Sequence, residues 1–176
     1  PLWVKRLFLA GLFGAELTSP ATHSKTGFYS PILGMNKITE KKENGRKFFI
    51  GLMQMLEEFG VRTAKIAERN EFRNKKGETW RLRLEISAEE GNLLNLWGRI
   101  GFEYNEKRSK LAEAAMHYIL LKKELTQKRG RIAARTRELR TKGLKLKEAQ
   151  ELLASGIANA RFIDRHYYDV KAGQRI

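Results

Sequence analysis

Apart from Lys5 and Arg6, every residue between Trp3 and Ala15 is apolar or small, and no polar face interrupts the run. Such a segment reads as a short helix that must be buried on all sides, so the fold is built around it. Ala10 with Gly14, and Gly11 with Ala15, form two small-xxx-small pairs, a spacing that lets a second helix backbone approach closely. Leu7–Ala15 follows two basic residues as a signal peptide would, but it is too short for a membrane span and meets Glu16 at once. Glu16 is the only carboxylate in the first 39 positions and falls where the helix should end. A helix C-terminus disfavours an acid by a few tenths to ~1 kcal/mol, and a divalent cation would reverse that sign. Two such helices side by side would bring two carboxylates together, as cation binding and metal-assisted phosphodiester hydrolysis require.

The stretch from Leu17 to Thr39, broken at Pro20, Gly27 and Pro31, reads as strand, turn and strand. After Asn44 the residues Phe48, Phe49, Leu52, Met53, Leu56 and Phe59 recur at helical spacing as a core face, and Gly60 ends the helix. Val61–Arg69 and Thr79–Ile86 flank a Gly-containing turn. In the second of these strands Trp80, Leu82, Leu84 and Ile86 alternate with Thr79, Arg81, Arg83 and Glu85. Ser87-Ala88-Glu89-Glu90 has capping-box spacing, and the helix it opens carries Leu93, Leu94, Trp97 and Ile100. The order so far is α-β-β-α-β-β-α. A charged helical pattern follows from about Asn105 to Arg140, then two shorter helical segments, Leu146–Leu153 and Ala160–Tyr168.

A total of 35 Lys and Arg against 20 Asp and Glu leaves +15 and a pI near 10.2. Such a chain seeks a polyanion, nucleic acid first among them. The tail is the more basic part: residues 105–176 carry 18 basic and 8 acidic side chains, against 17 and 12 in residues 1–104. With no cysteine there is no disulfide framework and no thiolate nucleophile or zinc ligand, and three scattered histidines make no metal site. Any metal needs carboxylates. The chain opens on Pro1, as a piece of something longer would, and a soluble, cytoplasmic location is expected.

Leu9-Ala10-Gly11-Leu12-Phe13-Gly14-Ala15-Glu16 resembles the motif that names the LAGLIDADG homing endonucleases, with identities at the first four positions and an acid at the eighth. Pro1 to Arg6, Phe59-Gly60-Val61 and Gly101 to Asn105 carry the resemblance to about residue 125, and it is greatest to the endonuclease regions of archaeal inteins. Gly14 replaces the motif's first acid and Leu17 its last glycine. The resemblance implies an α+β fold: an αββαββα repeat over residues 1–125 with a four-stranded antiparallel saddle, followed by a basic helical tail over 126–176. It implies a site-specific double-stranded DNA endonuclease that uses Mg²⁺ or another divalent cation. Glu16 would be the metal ligand and catalytic acid. A basic catalytic residue is expected beside it, Lys107 first and Lys37 as the alternative. Ala10, Gly11, Gly14 and Ala15 would form the helix interface with a second repeat, supplied by a homodimer mate or by an upstream repeat. The splicing chemistry of an intein is not visible, since Pro1 is no nucleophile and a terminal His-Asn is lacking.

In this picture the charged sheet face reads DNA, a two-stranded ribbon being able to enter the major groove. Its candidates are Arg81 and Arg83, with Arg62, Lys65 and Arg69 on the neighbouring strand and Lys25 and Tyr29 on the first hairpin, where Ser19, Thr22, His23 and Lys37 are also available. The tail reads either as a helix-turn-helix, with Leu146–Leu153 first, Gly156 in the turn and Arg161 and Arg165 on the reading helix, or as a bundle packed on the repeat. Two other functions compete with cleavage: a DNA-binding regulator that does not cut, and an inactive structural part of an intein.

Overall fold

The computed structural model describes residues 1–74 and 77–168. They form two compact units, residues 1–117 and 118–168, the division falling inside one long helix. No helix among the described residues is long and apolar enough to cross a membrane.

The first unit is α+β, with a three-stranded antiparallel sheet. Helix α1 (Leu2–Glu16) leads to strand β1 (Ile32–Ile38); a 3-10 turn, Thr39–Lys41, opens helix α2 (Lys42–Glu58). Strands β2 (Thr63–Asn74) and β3 (Gly77–Ile86) follow, then helix α3 (Glu90–Asn95), which continues as a π turn through Leu96–Ile100. Helix α4 (Glu106–Thr141) ends the first unit and begins the second. The strand order is β1-β3-β2. Strands β2 and β3 pair nearly end to end, and the turn at Lys75 and Lys76 lies outside the described residues.

A fourth strand was expected before Pro31 and does not form. Residues 17–31 make only two isolated bridges, Leu17 to Leu33 and Thr22 to Phe28. The Thr18 N–H donates to the Ile32 carbonyl at 3.0 Å, but the Ile32 N–H returns to the Thr18 side-chain oxygen at 2.9 Å rather than to a backbone carbonyl. Pro20 has no N–H to extend the ladder.

The core lies between the sheet and the helices. Leu82, Leu84 and Ile86 of β3 are fully buried, as are Phe49, Leu52 and Leu56 of α2, spaced three and four residues apart so that they share one face. Helix α2 meets the sheet at Gly45, where a β-carbon would stand 2.6 Å from a Leu82 methyl and 3.1 Å from the Lys37 stem. Phe48, expected in this core, is 41% exposed: it follows Gly45 by three residues but lies a further 100° around the helix from Phe49. Val61, Leu93, Leu96, Trp97 and Ile100 are buried too, as are Leu9, Phe13, Leu17 and Leu33.

The expected capping box at Ser87 is absent, because α3 starts three residues later, after Glu89. Asn92 does the fastening instead. Only 2% exposed, it accepts the Arg62 N–H at 2.6 Å and donates to the carbonyls of Arg62 at 3.0 Å and Ser87 at 2.8 Å. It thereby joins the start of β2 to the end of β3.

The second unit has its own core. Leu139 of α4, Ala149 of helix α5 (Leu146–Leu153) and Ile163 of helix α6 (Ala160–Tyr168) form its centre, with Ile132, Leu144, Leu153 and Phe162 around them. Asn159 caps α6, its side-chain oxygen accepting the Phe162 N–H at 2.9 Å. The Tyr167 hydroxyl donates to the Leu144 carbonyl at 2.6 Å and ties α6 back to the turn after α4.

Candidate functional site

Helix α1 stops at Glu16 because Leu17 turns extended and its side chain is fully buried. That places the Glu16 carboxylate on the surface, at the rim of an open depression of about 350 Å³ shared with Thr18, Ile32, Gly34, Met35, Asn36 and Arg81. Glu16 makes no ion pair or hydrogen bond among the described residues. The depression lies on the polar face of the sheet, where Asn36 stands opposite Arg81 and Gly34 opposite Arg83. Gly34, with no side chain, leaves room in the depression beside Glu16.

The polar face is strongly cationic. Arg69 lies directly across from Arg81, and two like charges in that position repel unless a counter-charge intervenes. Glu71 supplies part of it, 3.3 Å from the Arg81 guanidinium. Arg69 and Arg83 have no ion-pair partner among the described residues. Lys65 stands opposite Glu85, 3.7 Å from its carboxylate. Tyr29 is exposed, its ring edge-on to His23 at 5.5 Å, and Lys25 lies exposed in the same turn.

Three of the expected site residues of the first unit lie away from this depression. Arg62 precedes β2, its backbone held by Asn92 and its guanidinium paired with Glu89. Lys37 stands opposite Trp80 in the β1–β3 pair, and its stem packs under Gly45 of α2. It therefore projects from the face away from Glu16, since neighbouring residues of a strand point to opposite sides and Asn36 holds the near one. Lys107 is exposed in the first turn of α4 and lines a separate depression with Glu106, Lys110 and Leu111. Arg161 and Arg165 belong to the second unit, on the exposed face of α6.

The cation that does reach the end of α1 is Arg108. Its guanidinium donates to the carbonyls of Phe13 and Gly14 at 2.9 and 2.8 Å, and Asn105 donates to the Gly14 carbonyl at 2.7 Å. The Gly14 carbonyl is among the four that a helix C-terminus leaves without intrahelical partners, the Phe13 carbonyl also accepts the Leu17 N–H at 3.3 Å, and the guanidinium offsets the partial negative charge there. Asn105 also caps α4, accepting the Arg108 N–H at 3.1 Å. An asparagine at a helix start was a legible sign of that cap; nothing in the spacing showed that Arg108 would reach back some 95 residues.

The small residues of α1 divide between two faces. Ala10 is fully buried and accepts the Glu103 N–H at 3.0 Å, and Gly14 lies against the Glu103 carbonyl. These two are engaged by their own chain and are not free to form the expected helix interface. Gly11 and Ala15 face outward, and a β-carbon at Gly11 would meet nothing within 4 Å. They continue an exposed apolar stripe with Trp3, Leu7 and Phe8, of which Trp3 is 65% exposed. The helix expected to be buried on all sides is thus open on one.

Glu16 offers one hard carboxylate, with Thr18 and Asn36 as neutral oxygen donors around the same depression. No group of three or more His, Asp or Glu placed to hold a metal occurs among the described residues. A divalent cation takes six or more oxygens, more than these residues supply by themselves.

The chain is 33% identical over 172 residues to the tRNA-splicing ligase RtcB of Methanopyrus kandleri, which covers 96% of this chain but 16% of that protein. With the RtcB ligase of Pyrococcus furiosus it is 32% identical over 177 residues, 17% of that protein. It is also 31% identical over 130 residues to the DNA-directed RNA polymerase subunit Rpo1N of Methanocaldococcus jannaschii, covering 73% of this chain and 9% of the subunit. The chain therefore spans about a sixth of the length of the ligases it matches. No family model matches it. No solved structure matches it either.

Proposed function

We propose that this chain is one half of a site-specific double-strand DNA endonuclease of the LAGLIDADG homing type, carried inside larger host proteins as intein endonucleases are. Glu16 carries this reading. A carboxylate at the negative pole of a helix, exposed and unpartnered among the described residues beside a cationic sheet face, has no evident structural use. A divalent cation held there would polarise the scissile phosphate. Arg69, Arg81 and Arg83 would seat the DNA, and Arg108, by holding the last carbonyls of α1, positions Glu16 without touching the substrate.

The similarities support the same reading. One segment recurs within a ligase and within a polymerase subunit, proteins named for different reactions. A segment with an activity of its own accounts for both better than a share in either host's chemistry.

The stripe of Trp3, Leu7, Phe8, Gly11 and Ala15 is where the second repeat would dock, from a homodimer mate or from an upstream stretch of the same polypeptide. Either arrangement would supply a second carboxylate. A DNA-binding module that does not cut is the competing function; it draws support from Lys107 and Lys37, neither of which lines the Glu16 depression.

Selection of cleaved products from a random duplex library with Mg²⁺ tests the proposal. The native chain should yield cut sites, and Glu16→Gln should yield none while still retaining duplex on a filter. Cutting by Glu16→Gln at a comparable rate refutes the metal assignment, and absence of cutting by the native chain, alone or with its repeat supplied, favours the binder.

A further inference from the structure

Helix α6 of the second unit presents a face that the endonuclease reading does not use. Its inward residues Phe162, Ile163, His166 and Tyr167 pack on the unit's core. The outward ones are Arg161, Asp164, Arg165 and Tyr168, spaced so that they share one side of the helix. Neither arginine has a hydrogen bond or ion pair among the described residues.

The surroundings reinforce the charge. Arg129 of α4 lies over the Phe162 ring at 4.6 Å from its centroid, and Arg140 lies 5.7 Å from the Tyr167 ring and donates to the Tyr167 carbonyl at 2.8 Å. Tyr168, 64% exposed, stands edge-on to Tyr167. Elsewhere in the unit several cations are engaged: Lys142 and Arg135 both pair with Glu138, holding its carboxyl down to about 2, and Lys128 pairs with Glu124. The two α6 arginines thus stand without a salt bridge on an exposed helix face, in a segment that from residue 118 carries 15 Lys and Arg against 6 Asp and Glu.

We infer that the second unit is an independent duplex-DNA-binding module in which α6 lies in the major groove, with Arg161 and Arg165 on the DNA and Tyr168 at the groove's edge. The groove is about 12 Å wide and admits a single α-helix, and α6 is nine residues long, capped by Asn159 and borne on α5 by a short connection. Arg161 sits in its first turn, where reading helices make base contacts. Paired cations on a rigid helix with an aromatic beside them match a phosphate-lined groove; a membrane surface would call for exposed apolar residues on that face, and it has none but Tyr168. This inference does not rest on the nuclease reading.

The full chain is titrated against a fluorescein-labelled random-sequence 30-base-pair duplex without divalent ions, over a range of salt concentrations. Each phosphate contact contributes a slope of about −0.9 in log K against log salt. Arg161→Ala/Arg165→Ala should therefore flatten the slope by about two and weaken binding about tenfold or more at moderate salt. Asp164→Asn, which removes the one acid on that face, should tighten it. Both substitutions are on exposed positions, and circular dichroism should show helix content unchanged.

An unchanged slope in the double variant together with no gain from Asp164→Asn overturns the inference, as does a loss on anionic vesicles or single-stranded RNA that matches or exceeds the loss on duplex. The same titration in a Glu16→Gln background separates the two proposals. A native chain that never cuts duplex with Mg²⁺, alone or with its repeat supplied, but shows the slope difference refutes the nuclease and leaves this module standing.

Discussion

Gly14 lies against Glu103 so closely that a β-carbon at position 14 would overlap the Glu103 carbonyl oxygen. A side chain at this position requires the backbone at Glu103 to move. Gly14→Ala should gain up to ~1 kcal/mol of helix propensity and lose about 1–3 kcal/mol to overpacking against a fixed backbone. A lower urea midpoint is the expected outcome, and a rise would mean that residues 102–105 yield freely.

Gly11, one turn before Ala15 on the same helix, should behave in the opposite way. Gly11→Leu meets open space, so the separate chain should be as stable as the native one or up to ~1 kcal/mol more so. Close helix approach would be blocked, and sedimentation should show weaker assembly with a second repeat. Unaltered assembly would move the interface off α1.

Asn92→Ala removes three hydrogen bonds at a buried position and leaves the Arg62 N–H without an acceptor. The cost should be about 2–3 kcal/mol. Hydrogen exchange should show fraying first at the start of β2, where Arg62 stands.

Arg108→Ala strips the carbonyls of Phe13 and Gly14 of a charged donor, a loss of about 1–3 kcal/mol. Asn105 still reaches Gly14, so the fold should survive. If Arg108 positions Glu16, then cleavage should fall further than stability, and Arg108→Lys should recover part of it. Equal recovery of stability and none of cleavage would leave Arg108 a purely structural cap.

Arg83→Ala and Arg81→Ala should each cost about 1–3 kcal/mol on a preferred site if they read bases, and less on random duplex. Equal losses on both would make them phosphate contacts. Arg62→Ala is the internal contrast: its guanidinium is paired with Glu89, and DNA affinity should scarcely change.

Periodicity alone determined most of the elements. The 3.6-residue spacing of Phe49, Leu52 and Leu56 and the alternation of Leu82, Leu84 and Ile86 with Arg81, Arg83 and Glu85 are local patterns that the folded chain keeps. The isolation of Glu16 at the end of an apolar helix was equally local, and so was the basic bias of the tail. Tertiary structure decided whatever depended on which groups meet across the chain. The side-chain oxygen of Thr18 takes the Ile32 N–H, and no regular strand forms before Pro31. Strand parity turns Lys37 under α2 while Asn36 faces Glu16. Arg108, far along the sequence, becomes the cation at the end of α1. And α1, apolar all round in sequence, buries Ala10 and Gly14 against the backbone at Glu103 yet leaves Gly11 and Ala15 open, because that segment covers only one side of the helix.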